Sequence, residues 1–130
     1  MEEIVPQDIY IAGAARLPIG KFGGSLARLS LTELGSLAAE AAIDRSGLSG
    51  ADLDTAVASN VMPVVPKDLY LSRAIAKNVG MPDSSTAMGV NRLCGSGVQA
   101  VISAAQLLQS GDGSLALAVA GLQQLGRADD

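Results

Sequence analysis

The one cysteine of the chain, Cys94, lies in the segment Val90-Asn91-Arg92-Leu93-Cys94-Gly95-Ser96-Gly97-Val98-Gln99-Ala100, between a strand-like run and a long apolar helix. A thiol at the start of a helix faces unpaired backbone N–H groups and the positive end of the helix dipole, which favour the thiolate. Thiolate is the nucleophilic form, so the position suits attack on a carbonyl carbon. Gly95 and Gly97 permit close backbone approach and unusual dihedrals, neither of which a plain helix start requires. The competing reading is a small buried hydrophobe, the commoner fate of a lone cysteine. The chain contains no histidine. The base that usually accompanies a nucleophilic cysteine must therefore come from elsewhere.

Two further segments have phosphate-binding features. Gly95-Ser96-Gly97-Val98-Gln99-Ala100 matches G-x-G-x-x-A between a strand and a helix, the context a dinucleotide site requires. The acid expected about 20 residues on is missing, because Leu115 to Ala120 holds no carboxylate. A dinucleotide-binding domain is thus a disfavoured alternative. Gly20-Lys21 has the lysine of a P-loop, but Phe22 stands in the Ser/Thr place and the glycine spacing is wrong. Arg16 and Lys21 could meet an anionic ligand, but solvated loop charges are the safer reading.

The elements that must carry Cys94 alternate in type. Ile9–Ala12 reads as a strand leading into a Gly- and Pro-bearing loop. Ser30-Leu31-Thr32-Glu33 has capping-box spacing. The helix that follows sets Leu34, Leu37, Ala38, Ala41 and Ala42 on one face, turns Glu33, Glu40 and Asp44 outward, and stops at Gly47. Thr55–Met62 reads as a second strand. Asp68 is placed to cap a helix over Leu69–Val79, closed by Gly80 and Pro82. Thr86–Leu93 gives a third strand, Val98–Gln109 a helix, and Ser114–Ala120 a fourth strand. This β-α-β-α-β-α-β order predicts an α/β fold with a mainly parallel sheet and right-handed helical crossovers.

The helix after Cys94 differs from the other two. From Leu93 to Gly111 there is no charged residue. Val98, Val101, Ile102, Ala105 and Leu108 form one apolar stripe, and Ala100, Ala104 and Leu107 a second. A helix apolar on most sides is normally buried on most sides. Protein beyond the four strands is needed to cover it.

Composition narrows the function classes. The chain has 130 residues, enough for one modest core, and with two tyrosines, one phenylalanine and no tryptophan that core must be aliphatic. A net charge of −4 without a basic cluster argues against nucleic acid. No apolar run approaches the length needed to span a membrane. A single cysteine suits a reducing compartment, and Met1-Glu2-Glu3 opens with acid where a signal peptide is basic. The expectation is a soluble cytoplasmic protein.

Several segments together carry a family resemblance. Ala15-Arg16-Leu17-Pro18-Ile19-Gly20-Lys21-Phe22-Gly23-Gly24-Ser25-Leu26 resembles the opening signature of thiolases, with Leu17 where threonine is commoner. Ser59-Asn60-Val61 resembles the family's second-strand segment. Pro66-Lys67-Asp68-Leu69-Tyr70-Leu71-Ser72-Arg73 is similar to a version found in bacterial β-ketothiolases. Val90 to Ala100 resembles the active-site segment that bears the acylated cysteine. The resemblance runs in order from Ile9 to Gly121.

The resemblance implies acyl transfer between acyl-coenzyme A thioesters, as in acetyl-CoA acetyltransferases and β-ketothiolases. Cys94 would attack the thioester carbonyl and become S-acylated, its own backbone N–H helping to hold the oxyanion. The acyl group would then pass to coenzyme A or to the carbanion of a second acetyl-coenzyme A. No separate cofactor or metal is implied, since coenzyme A thioesters are the substrates. The implied fold is an α/β/α/β/α sandwich of two similar halves, dimeric or tetrameric, with the cysteine-bearing helix in its central layer. Residues 1–130 would be the N-terminal portion of the N-terminal domain, without the loop domain and C-terminal half. The family's catalytic histidine and second cysteine lie in that half. At the end of the chain, Gly121-Leu122-Gln123-Gln124-Leu125-Gly126-Arg127 departs from the family's Gly-Gly-x-Glu-Ser-Met-like segment. The expected partners are acyl-CoA and either further copies of the chain or a complementary C-terminal chain. Alone, the chain is expected to be inactive, because general-base help is worth about 10²–10⁴-fold. The alternative is a catalytically inactive thiolase-like interaction or scaffold module.

Overall fold

Helix α1 (Leu31–Ser46) starts at a reciprocal cap. Ser30 Oγ accepts the Glu33 N–H at 3.2 Å, and Glu33 Oε2 accepts the Ser30 N–H at 2.7 Å. Two backbone donors that a helix start leaves unpaired are thereby satisfied. The helix ends at Gly47, whose φ of 74° is open to glycine at no steric cost. Its buried row is Leu31, Leu34, Gly35, Ala39 and Ile43, while Leu37 stays exposed. The expected face is thus rotated, because the i, i+4 row through Ile43 offers the larger branched side chains to the core. Glu33, Glu40 and Asp44 point outward as expected.

The computed structural model describes residues 7–122. After α1 the chain forms β1 (Thr55–Asn60), α2 (Leu71–Asn78), β2 (Thr86–Val90), α3 (Ser96–Gln109) and β3 (Ala116–Leu122). The sheet has three parallel strands in the order β2-β1-β3. Central β1 is buried on both faces, as a parallel strand covered by helices should be. Ala56 and Ala58 join Leu117, Val119, Leu31, Leu71 and Ile75 in a core beneath α1 and α2. Val57, offset by one residue, meets Ala100 and Ala104 of α3 on the other face. A helical layer therefore covers each face, and α3 supplies one of them. All three aromatic side chains are exposed, so the core is aliphatic.

Two expectations are corrected. Ile9–Ala12 forms no strand, so the order among the described residues is α-β-α-β-α-β, still a mainly parallel α/β fold. Tyr10 and Ile11 are 82% and 81% exposed. The chain just beyond is drawn onto α1 instead of onto a strand edge. Arg45 Nη1 donates to Ala14 O at 2.8 Å, and a Cβ at Gly13 would lie 2.3 Å from Ala42 O. Asp68 does not cap α2 either. Its Oδ2 accepts the N–H groups of Val64 (2.9 Å) and Val65 (3.0 Å), closing a 3-10 turn over Pro66–Tyr70, and α2 begins only at Leu71. Strand and helix ends also move: β1 stops at Asn60, β2 at Val90, α3 starts at Ser96, and the last strand spans Ala116–Leu122 instead of the expected Ser114–Ala120. The segment Gln123 to Arg127 lies outside the described residues.

Asp54 ties the start of β1 to the start of β3. Its Oδ2 accepts the N–H groups of Ser114 (2.7 Å) and Leu115 (3.1 Å), and these bonds hold the carboxyl below its ordinary value. A carboxylate depressed on folding stabilises fully above its unfolded value, and the contribution is lost as pH falls through the folded value. Thermal midpoints of the wild type should therefore drop more steeply below about pH 4 than those of Asp54→Asn. Circular dichroism melts across that range check this; parallel acid limbs would refute it. Asp83, lowered by its bond to Lys77 and by Arg73, should retain its share of the acid sensitivity in both proteins.

Candidate active site

Parallel strands bring their C-terminal ends together, the edge at which open α/β sheets bind ligands. Cys94 lies at that edge, four residues after β2 and two before α3, and its side chain is exposed. Among the described residues nothing buries it. Leu93, immediately before it, has φ 48° and is the one non-glycine residue in left-handed conformation among the described residues. Neither Gly95 (φ −84°) nor Gly97 takes a positive φ. The unusual dihedral expected of the glycines therefore falls on a leucine. Gly97 serves close packing: a Cβ there would sit 3.4 Å from Ala120 Cβ, so the start of α3 lies against β3.

Left-handed backbone at a leucine costs about 1–2 kcal/mol and persists only where neighbours enforce it. Buried Ser96 is one neighbour. Its Oγ accepts the Arg92 N–H at 2.7 Å and donates to Leu93 O at 2.6 Å. The N–H groups of Gly95 and Ser96 donate to Arg92 O and Leu93 O, each at 3.0 Å. Asn91 is the other neighbour. Its Oδ1 accepts the Leu93 N–H at 3.0 Å, and its Nδ2 donates to Val61 O at 3.0 Å. Along α3, Arg92 Nη1 donates to Gln99 Oε1 (3.0 Å) and Gln99 Nε2 to Ser103 Oγ (2.9 Å). The ends of β1 and β3 meet beside this turn. Ser59 Oγ accepts the Gly121 N–H at 3.1 Å where the pairing register slips, and Gly121 is left-handed at φ 74°. Sequence reasoning missed Asn91 and Ser96 as turn-formers, since nothing in a leucine signals positive φ.

The outer stripe of α3 is bare. Val98, Val101 and Ile102 are 67%, 48% and 41% exposed, whereas Ala100 and Ala104 face the sheet. A concavity of about 230 Å³ lies at the opposite end of the strands, lined by Asp54, Ser85, Thr86 and Asp112, and another of about 420 Å³ lies beside α1. Neither includes Cys94. Arg16 and Lys21 sit in the exposed segment before α1, with no hydrogen bond to the Cys94 turn. Among the described residues, no group of three or more acidic, His or Cys side chains is placed to hold a metal ion. None of their helices is long and apolar enough to cross a membrane.

Residues 9–129 match the family model described as the thiolase N-terminal domain. The chain belongs to the thiolase family. It is 40% identical over 122 residues to the β-ketothiolase BktB of Cupriavidus necator, covering 94% of this chain and 31% of that thiolase. It is 36% identical over 109 residues to bovine mitochondrial 3-ketoacyl-CoA thiolase, covering 84% of this chain and 28% of the relative. The human mitochondrial 3-ketoacyl-CoA thiolase, solved in complex with CoA, superposes with a TM-score of 0.80 at 31% identity, over 82% of this chain and 27% of that one. The chain thus spans under a third of the length of the thiolases it matches. The β-α-β order around Cys94 is that of the thiolase fold, and the G-x-G-x-x-A match is absorbed by Gly97 packing on β3.

Proposed function

We propose that this chain is the nucleophile-bearing part of a β-ketothiolase-type acyltransferase acting on acyl-CoA thioesters. The observation that carries this reading is Cys94 exposed at the strand ends, on a turn whose backbone is held in a strained form directly before a helix start. The Cys94 proton passes to a base, and the thiolate sulfur attacks the thioester carbonyl. The oxyanion is held in part by the Cys94 N–H, the carbon–sulfur bond to coenzyme A breaks, and the departing sulfur takes the proton. With acetoacetyl-CoA the sulfur attacks the 3-keto carbonyl instead, the C2–C3 bond breaks, and the departing acetyl-CoA carbanion takes the proton, which leaves an acetyl group on Cys94. The acyl group then moves from Cys94 to coenzyme A or to an acetyl-CoA carbanion. With no histidine among the 130 residues, the base and the second acid–base cysteine come from protein outside them. The bare stripe of α3 is where such protein would pack, whether a complementary C-terminal half or another copy. Coenzyme A thioesters are substrates in this reading, with no separate cofactor, and a lone cysteine is compatible with the cytoplasm.

A second reading, an inactive thiolase-like scaffold, is favoured by the missing histidine alone. Denaturing intact mass spectrometry of the natively purified protein, with and without acetoacetyl-CoA, separates the two. The expected result is a second polypeptide and one acetyl group mapping to Cys94. A lone chain without an adduct would establish the scaffold reading.

A further inference from the structure

We propose that Asn91 is a positioning residue for Cys94: its carboxamide, held in place by the end of β1, keeps Leu93 left-handed, which aims the thiol. The proposal rests on the acyl-transfer reading for its consequence, but not for its geometry. Both ends of the carboxamide are spent on main chain. Oδ1 faces the Leu93 N–H, and Nδ2 faces the carbonyl of Val61, thirty residues earlier in sequence. Only this orientation of the amide satisfies both partners, since an N–H needs an acceptor and a carbonyl a donor. The first bond is an Asx-type turn contact that any loop could form. The second is long-range, and it fixes the carboxamide itself against the neighbouring strand, so that its oxygen stays on the Leu93 N–H. Asn91 itself is exposed, so it fills no core space and its bonds are what it contributes.

Glycine visits the left-handed region freely. If Asn91 acts by holding Leu93 there, glycine at position 93 should make Asn91 dispensable, whereas a general structural contribution would not be replaced this way. The test uses the full chain with its natural partner polypeptide, in wild-type, Asn91→Ala, Leu93→Gly and doubly substituted forms. Two quantities are read: the three-bond HN–Hα coupling and Cβ shift of residue 93 in the proteins that retain Leu93, and the rate at which acetoacetyl-CoA acetylates Cys94. Asn91→Ala should lose the left-handed signature and slow acetylation roughly tenfold, the penalty of an unsupported left-handed leucine. The double variant should return to within about twofold of wild type, with all forms melting alike. Retention of the left-handed signature in Asn91→Ala, or a double variant as slow as the single one, overturns the proposal. A wild type that takes no acetyl group overturns the acyl-transfer reading, and the coupling at Leu93 still decides whether Asn91 holds the turn.

Discussion

Cys94→Ala is expected to abolish the acetyl adduct formed from acetoacetyl-CoA and to lower acyl transfer by about 10⁴-fold or more, the scale of loss when a covalent nucleophile is deleted. Everything that remains after that substitution, such as oxyanion donors and thioester binding, stabilises a step that no longer has an attacking atom. The same change should leave the fold alone. Cys94 is exposed and follows β2 in a turn, and surface substitutions of this kind usually shift stability by no more than about 0.5 kcal/mol. Peptide mapping of the acylated protein together with a thermal melt reads both halves of the expectation. An adduct that survives on another residue would remove Cys94 from the reaction. A large drop in melting temperature would return it to a structural part.

Ile75→Ala should cost about 2–5 kcal/mol of stability, among the largest losses from a single side chain. Ile75 is fully buried on α2 and belongs to the cluster that joins Leu31 and Ile43 of α1, Ala56 and Ala58 of β1, and Leu117 and Val119 of β3. The remaining members are mostly alanine and single branched chains, and no aromatic ring contributes. In a core of branched aliphatic chains packed on small alanines, each removed methyl group leaves a cavity that the small neighbours fill poorly. Against a typical total of about 5–15 kcal/mol, the expected loss brings the chain near its unfolding threshold. Urea titration measures it as a lower midpoint at an unchanged slope. A cost under about 1 kcal/mol would mean that α2 packs loosely on β1.

The features legible from the chain are those set by near neighbours. Ser30 and Glu33 close a cap across one helical turn, and Gly47 ends that helix because it alone tolerates the left-handed stop. Thr55, Thr86 and the stretch after Ser114 read correctly as strands because runs of β-branched and small apolar residues between turns suit a buried parallel sheet. The thiolase resemblance and the placement of Cys94 just before a helix were likewise readable from contiguous residues.

What required the folded chain depends on segments far apart in sequence. Whether Ile9–Ala12 pairs depends on which surface takes the neighbouring backbone, and Arg45 with Ala42 draws it to α1. Asp68 could cap a helix by its position, yet the N–H groups of Val64 and Val65 reach its carboxylate first. The two apolar stripes of α3 look alike in sequence, and only packing against Val57 assigns Ala100 and Ala104 to the sheet while leaving Val98 and Val101 bare. At Cys94 the residue type was evident, but the strained turn that presents it was not. A leucine prefers negative φ, and it is held otherwise by a serine three residues on and by an asparagine anchored to another strand. Local preference decides the elements, whereas a conformation against local preference is set by long-range bonds that exist only after the strands are assembled.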